Sequence, residues 1–424
     1  MTYWLSWEAN IFQSATSSYR KWIEVAALGS LAGVFAIFSI YTPQGIDVFA
    51  VAFFLFGSLL IEQADIDASG WTGQRPFVFA CGAVLLAMSF ASGACSVNGF
   101  KAQIGSGVYI AIAPAALFLV ASKARFHLVG ERGVKRLILA AIFVGLVPAA
   151  VYGIVTFGQR YSGVTLPGQP APNIAAVFLS IVSAITLHLT IDASRRARLL
   201  AYLAVCALLI LGLLTMSRTF LVSTIIMLAV YGFTIRKRGD LQREILPVLG
   251  VIAVILIVSF FAFPSGVAKL FNPPASGFFD GRLQTWADGW ELFRRYPLCG
   301  IGPHTFYDPK LNPLYVERTQ AGVDFYPFYH AHDVYLNTLA EGGVIMGAWL
   351  VVLIAAAVYG CYVLLKRDPE NRFGTIALTL LAMFLLIGLF ENTMVRPLIF
   401  LFPISLGLAM NVTWRDSFRA RQPD

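Results

Sequence analysis

Apolar runs long enough to cross a bilayer recur along the whole sequence, and they limit the possible folds more than any other feature. A transmembrane helix needs roughly 20 apolar residues, because lipid offers no hydrogen-bond partner for an exposed backbone group. With 58% hydrophobic and 13% charged residues, the composition also excludes an ordinary soluble domain. We therefore predict an all-α polytopic membrane protein with about twelve transmembrane helices. In chain order the runs span residues 22–41, 46–62, 76–93, 104–122, 137–157, 172–191, 199–216, 219–235, 245–263, 334–365, 373–390 and 397–414.

The positions of lysine and arginine predict which helix ends are cytoplasmic. When the N-terminus is placed on the cytoplasmic side, 21 of the 31 basic residues fall on that side and 10 on the other. Short cytoplasmic loops of membrane proteins carry such an excess of basic residues. Both termini are therefore expected in the cytoplasm. The net charge of +8 is spread over these loops, which indicates membrane topology and not nucleic-acid binding.

A long hydrophilic segment separates two groups of apolar runs and is expected on the outer side. It covers residues 264–333, between predicted helices 1–9 (residues 1–263) and helices 10–12 with a cytoplasmic tail (residues 334–424). The five cysteines are scattered along the chain, and their spacing predicts neither a disulfide framework nor a zinc site.

The middle of this loop carries a helical pattern. Leu283, Trp286, Trp290 and Phe293 recur at the spacing of one helix face. The pattern predicts an amphipathic helix, and its two tryptophans suit a membrane interface. Packing of the same helix as a lid on the transmembrane helices is compatible with this interpretation.

Polar side chains gather at the end of the loop, in the segment HAHDVYLNTLAEGG. Asp333 is a suitable N-cap, and Asp333, Asn337 and Glu341 then share one helix face. Such a helix places His332 near the outer boundary between membrane and water. Three roles remain open for His330 and His332: structural hydrogen bonding, metal binding, or general-base catalysis.

Arg218 interrupts two apolar runs at the outer end of a helical hairpin. An arginine there is costly unless it reaches water or meets an anion. One interpretation is snorkelling to the interface, and the other is a bidentate clamp on a phosphate. Arg160, Arg282 and Arg396 are also predicted on the outer side. Together these cations would suit a lipid-linked diphosphate.

The same segments resemble the O-antigen ligase and polymerase family of bacterial envelope glycosyltransferases. The resemblance covers residues 212–350 and rests on SRTF, GRLQTWADGWELF, PLCGIGPHTF and HAHDVYLNTLAEGGVIMG. In the N-terminal half only the hydropathy and the segment PAPNIAA (170–176) agree. One departure concerns Asp333, since family members usually have asparagine there. A carboxylate at this position could orient or charge the histidine.

The resemblance implies a GT-C-like fold in the inner membrane and a transfer reaction on its periplasmic face. The family passes a glycan from undecaprenyl diphosphate to a sugar hydroxyl without a metal, a nucleotide sugar or another cofactor. By motif match, His332 is the base, and Arg218 and Arg282 bind the diphosphate. The other polar residues of this region are expected to contact substrate: Arg160, His330, Asp333, Asn337, Glu341 and Arg396.

Among the family's branches we favour the ligase, which hands the glycan to lipid A-core, because twelve spans and one long loop resemble that branch. A polymerase, which extends another lipid-linked chain, and a protein-glycosylating enzyme are the alternatives within the family. A lipid-linked glycan transporter or flippase is the alternative from another class. Transporters tend to show repeated halves and charges near the bilayer midplane, whereas here the charges crowd one surface.

The charge distribution makes a prediction about topology. Reporter fusions at Gly277 and at the C-terminus should report opposite sides of the membrane, because the long loop and the tail are placed on different sides. Activity of a periplasmic reporter at both positions would contradict the twelve-helix arrangement.

Overall fold

In the part of the chain that it describes, the computed structural model consists of helices joined by turns and loops. It describes residues 19–36, 43–61, 94–98, 104–157, 172–215, 217–236, 250, 253, 282–302, 305–306, 308–322, 331–392 and 400–411. We number the helices in chain order as α1 (19–36), α2 (Pro43–Ser58), α3 (Ile104–Lys123), α4 (Glu131–Phe157), α5 (Pro172–Thr190), α6 (Arg195–Leu214), α7 (Arg218–Arg236), α8 (Arg282–Arg295), α9 (Pro313–Gln320), α10 (Val334–Arg367), α11 (Arg372–Ile387) and α12 (Leu401–Ala409). No strand occurs among these residues.

The predicted apolar runs become helices where the structure describes them. Within that part of the chain, α6, α7 and α10 are long and apolar enough to cross a membrane, and shorter apolar helices accompany them. The described fold is thus that of a helical membrane protein. The predicted run 76–93 lies outside the described residues, and of the run 245–263 only residues 250 and 253 are described.

Helix α5 lies at the centre of the bundle, in contact with α4, α6, α7 and α11. Its residues 175–190 are all buried, including several serines and threonines. Ser180 meets Ser223 of α7 over 2.6 Å, and His188 Nε2 lies 3.0 Å from the hydroxyl of Thr379 on α11. Such polar contacts between helices stabilise a bundle in lipid, where apolar contact gives no advantage over the acyl chains.

Polar contacts fix both ends of the α5–α11 pair. At one end Asn173 donates to Glu391 over 2.9 Å. At the other end Arg372, only 1% exposed, donates to both oxygens of Asp192 over 2.6 and 2.9 Å. These two sets of hydrogen bonds are separated by the length of α5, roughly 27 Å at 1.5 Å per residue. We call the end with Glu391 the outer end, after the side predicted for it.

Helix α10 is broken near its outer end. Gly343 has φ of 61° and ψ of −162°, so the backbone leaves helical geometry there. A break frees carbonyl groups before it and N–H groups after it, and these need partners in an apolar setting.

The segment 297–302 supplies those partners. The N–H groups of Ile301 and Gly302 donate to the carbonyls of Ala340 and Glu341 over 3.1 and 2.8 Å. On the other side of the break, Val344 donates to the carbonyl of Pro297 over 2.8 Å. The backbone of this segment therefore completes the hydrogen bonding of the broken helix and holds the long loop against α10.

A disulfide attaches the segment that contains Cys95 to the segment 297–302. The sequence predicted no disulfide framework, and this bond shows that the prediction was wrong. Cys95 and Cys299 are bonded across 204 residues of sequence, with Cα atoms 5.7 Å apart. Asn98 donates to the carbonyls of Ile301 and Leu311 over 2.6 and 3.1 Å. Cysteines so distant in sequence give no spacing pattern, which is why the pair could not be predicted.

Helix α8 confirms the predicted amphipathic helix, with its orientation now visible. It packs on α10 through Thr285, Asp288, Gly289 and Leu292, which are buried. An ideal Cβ at Gly289 would lie 3.0 Å from the side chain of Leu336, so the approach of α8 to α10 is close. The face of α8 that carries these four residues therefore contacts the protein.

The close backbone packing at the break in α10 predicts different losses of stability when two glycines are replaced by alanine. Gly343→Ala should destabilise the protein strongly, because the new Cβ would lie 2.3 Å from the backbone carbonyl of Leu298. Gly322→Ala is the matched control: its φ is also positive, at 66°, but nothing lies within 4 Å of the place its methyl group would take. The control should show only the cost of left-handed geometry, about 1–2 kcal/mol. Equal shifts of the thermal unfolding midpoint for both variants would contradict the close approach.

Candidate functional site

A buried carboxylate joins side chains from three other segments at the outer end of the bundle. Glu391, which follows α11, is 2% exposed. Its Oε1 accepts hydrogen bonds from Asn173 over 2.9 Å and from Arg282 Nη2 over 3.0 Å. Its Oε2 lies 3.7 Å from Nδ1 of His332. Two residues predicted to be functional, Arg282 and His332, are thereby brought to one carboxylate.

The network continues from Asn173 to the start of α7. Ser217 donates to Asn173 Oδ1 over 2.8 Å, while the Asn173 amide donates to Glu391. Arg218 is the next residue and the first of α7, and its side chain is half-buried. The predicted cation Arg218 therefore lies next to a residue of the same network.

Several helices begin at this network: α5 at Asn173, α7 after Ser217, α8 at Arg282 and α10 after His332. The first turns of a helix carry unpaired N–H groups and a partial positive charge. Helix N-termini and arginines around one place favour the binding of an anion there. Glu391 offsets part of this positive charge in the absence of a ligand.

His332 has an unusual backbone conformation. Its φ is 52°, in the left-handed region that residues other than glycine seldom adopt. The backbone is fixed on both sides of it: Ala331 donates to Asn337 Oδ1 over 3.2 Å, and Val334 donates to the carbonyl of Gly388 over 2.7 Å. Strained residues held in this way occur preferentially at functional sites.

Asp333 confirms the predicted N-cap of α10. Its carboxylate accepts a hydrogen bond from the N–H of Leu336 over 2.8 Å. Burial raises the pKa of the Asp333 carboxyl, while hydrogen bonds from the backbone of Leu336 and Tyr335 act in the opposite direction. The carboxyl group thus fixes the start of the helix directly after His332.

Asn337 and Glu341 point into the protein and hold neighbouring segments. Asn337 is buried and donates to Glu341 Oε2 over 3.1 Å, in addition to its contact with Ala331. Glu341 Oε1 accepts from the N–H of Phe306 over 3.1 Å. The two side chains therefore connect the backbone of Ala331, just before His332, to the backbone of Phe306. Phe306 follows the segment 297–302 that fills the break in α10.

Three of the predicted site residues, Arg160, His330 and Arg396, lie outside the described residues. Three residues of the network, Asn173, Ser217 and Glu391, were not predicted as site residues. Glu391 had a detectable signal, because a carboxylate at the end of an apolar helix is a functional candidate by default. Asn173 lies in the PAPNIAA segment but gives no such signal alone.

The fold and this site define a helical membrane protein with a cationic, histidine-containing site at one end of its bundle. Residues 203–346, about a third of the chain, match the family model described as O-antigen ligase. The match confirms the family resemblance seen in the sequence and supports a glycosyltransferase of the O-antigen ligase or polymerase type. No curated protein matches the chain. Arg218, Arg282 and His332 lie inside the matched segment, whereas Asn173 and Glu391 lie outside it.

The network makes a prediction about Asn173. Asn173→Asp should lower glycan transfer by about a hundredfold, the cost typical of displacing catalytic groups by about 1 Å. The change removes the donor to Glu391 and places two carboxylates side by side, so one of them will bind a proton more readily. Lowering the pH should therefore restore part of the lost activity relative to wild type. Asn173→Ala is the control without the added charge, and an equal pH recovery in that variant would contradict the explanation.

Proposed function

We propose that the protein is an O-antigen ligase, which transfers a glycan from undecaprenyl diphosphate to a sugar hydroxyl of lipid A-core. The observation that carries the proposal is the convergence of Arg282 and His332 on Glu391. A reaction of this kind needs a cation for the departing diphosphate and a base for the attacking hydroxyl. Both groups lie beside one buried carboxylate, with Arg282 hydrogen-bonded to it and His332 at 3.7 Å.

Arg282 and Arg218 are proposed to bind the donor diphosphate. Arg282 uses Nη2 to contact Glu391, and its side chain remains 24% exposed, which leaves part of the side chain accessible to a ligand. A guanidinium meets phosphate oxygens in a bidentate geometry and keeps its charge at any physiological pH. The leaving diphosphate is already a stabilised anion, so cations can assist its departure without a metal ion.

His332 is proposed as the general base. Because Nδ1 faces Glu391, Nε2 is the ring nitrogen assigned to the acceptor hydroxyl. The hydroxyl oxygen bonds to the anomeric carbon as the bond from that carbon to the diphosphate oxygen breaks, and the hydroxyl proton passes to Nε2. A single displacement of this kind inverts the configuration at the anomeric carbon. General-base assistance typically contributes roughly 10²–10⁴-fold to the rate.

Asn337, Glu341 and Asp333 are proposed to support His332 and not to bind substrate directly. Their hydrogen bonds fix Ala331, Phe306 and Leu336, which surround the base in sequence or in space. Together with the left-handed backbone at His332, these contacts hold the imidazole in a constant position.

We assign the site to the periplasmic face of the inner membrane. The excess of basic residues on the opposite side supports this orientation. The Cys95–Cys299 disulfide supports it as well, since disulfides persist in the periplasm and are rare in the cytosol.

Two phenotypes distinguish the ligase from a polymerase of the same family. In a deletion strain, loss of a ligase leaves bare lipid A-core and accumulates long glycan on the lipid carrier. Loss of a polymerase leaves core that carries one repeat unit. The ligase proposal therefore predicts bare core on lipopolysaccharide gels, and single-repeat bands would contradict it.

The proposed role of His332 as the general base predicts the effect of replacing it. His332→Ala should abolish transfer in proteoliposomes while leaving donor binding intact, because only the proton acceptor is removed. His127→Ala is the matched control, since His127 is exposed at the opposite end of the bundle, where it contacts Arg20 over 2.9 Å. Wild-type transfer by the His332 variant would exclude it as the base.

The same assay tests the role of metals. Transfer should continue in the presence of EDTA, since the arginines and not a metal ion stabilise the diphosphate. Activity lost to EDTA and restored by a divalent cation would contradict this part of the proposal.

A further inference from the structure

Two large apolar side chains of α8, Leu283 and Trp290, are exposed, whereas Trp286 and Phe293 beside them are half-buried. Leu283 is 63% exposed and Trp290 52%, and the two residues are seven positions apart, so they share one face of the helix. Phe293 continues this face, with its ring centroid 5.4 Å from that of Trp290. We call Leu283, Trp286, Trp290 and Phe293 the outward stripe.

The opposite face of α8 meets the protein through polar contacts as well as through the buried Leu292. Asp288 is buried and accepts two hydrogen bonds from Arg318 of α9, over 2.8 and 2.5 Å. Thr285 donates to the carbonyl of Ala331 over 3.3 Å. In water, a surface helix would bury its apolar face and expose its polar one. In α8 Leu283 and Trp290 are instead exposed while Asp288 is buried, and this exposure of two large apolar side chains favours an apolar medium beside them.

We propose that the outward stripe of α8 is embedded in the acyl-chain region of the outer leaflet of the membrane. The helix would lie in the plane of the interface, with its apolar stripe in lipid and its polar face against α9 and α10. Tryptophan is enriched at this depth, because its ring is apolar and its N–H remains within reach of water and head groups.

The stripe is continuous with the surface of α10 that would face lipid in the membrane. Leu298, which follows α8, is 67% exposed and accepts a hydrogen bond from Ile345 just after the α10 break. Val344 and Val351 of α10 are exposed next along this surface. Because α10 is long and apolar enough to span a membrane, its exposed surface extends the lipid contact to α8.

The charges of α8 fit the same orientation. The helix ends with Arg294 and Arg295, and Arg294 is exposed beside the stripe. Arginine stems cover apolar surface while their guanidinium groups reach the phosphates of lipid head groups. Arg282 begins the helix, so embedding α8 also fixes Arg282 and its partner Glu391 at the level of the head groups.

Spin labels on α8 test this proposal independently of transfer activity. Single cysteines would be introduced as Leu283→Cys and Trp290→Cys, with Cys81, Cys206 and Cys361 changed to serine and the Cys95–Cys299 disulfide kept. Gln284→Cys on another exposed face of α8 and Glu317→Cys on α9 are the matched controls. The labelled proteins would be placed in phosphatidylethanolamine–phosphatidylglycerol vesicles, and collisions with oxygen and with a water-soluble nickel chelate measured.

Labels at 283 and 290 should collide several-fold more with oxygen than with the nickel chelate, because oxygen concentrates in lipid. The control labels should show the reverse. Frequent nickel collisions at 283 and 290 would place the stripe in water, and low collision rates with both reagents would place it under a protein partner. Either result overturns the proposal.

A second measurement needs no label. The tryptophan fluorescence contributed by position 290, obtained as the difference between wild type and Trp290→Phe, should be quenched by brominated lipid and resist aqueous acrylamide. Quenching by acrylamide alone would overturn the proposal.

Discussion

The carboxylate of Glu391 has lost almost all contact with solvent at the end of an apolar helix, so it depends on partners for its charge. A buried carboxylate without them would cost several kcal/mol. Asn173 and Arg282 donate to it, and His332 faces its second oxygen. These partners come from α5, from the start of α8 and from the residue that precedes the N-cap of α10. One electrostatic requirement therefore fixes the relative positions of the residues proposed for donor binding and catalysis.

The break in helix α10 also determines the geometry of this site. Gly343 opens the helix, and the backbone of residues 297–302 fills the gap. Only glycine allows this approach, because a methyl group at Gly343 or Gly300 would meet backbone atoms of the opposite segment. Since the filling segment directly follows α8, the break in α10 also determines where α8 and Arg282 lie. The disulfide to Cys95 then holds the segment in place.

Local sequence patterns predicted the features of this structure that depend on a single helix. Apolar runs predicted the helices, Asp333 predicted the start of α10, and the spacing of Leu283 and Trp290 predicted α8. The features that the sequence did not predict depend on contacts between segments that lie far apart in the chain. Neither the Cys95–Cys299 bond nor the contact between Asn173 and Glu391, 218 residues apart, leaves a periodic pattern. The outward direction of the α8 stripe also depends on the neighbouring α9 and α10, which local spacing does not describe.

A double-mutant cycle on Arg282 and Glu391 tests the central claim most directly. The proposed transfer of lipid-linked glycan to lipid A-core would be measured in proteoliposomes for wild type, Arg282→Ala, Glu391→Gln and the double variant. If Glu391 acts by positioning Arg282, the double variant should be little worse than the more damaged single variant. The corresponding coupling is of the order of 1–3 kcal/mol for residues in direct contact. Effects that add to within about 0.5 kcal/mol would show that the two residues act independently and would contradict the account.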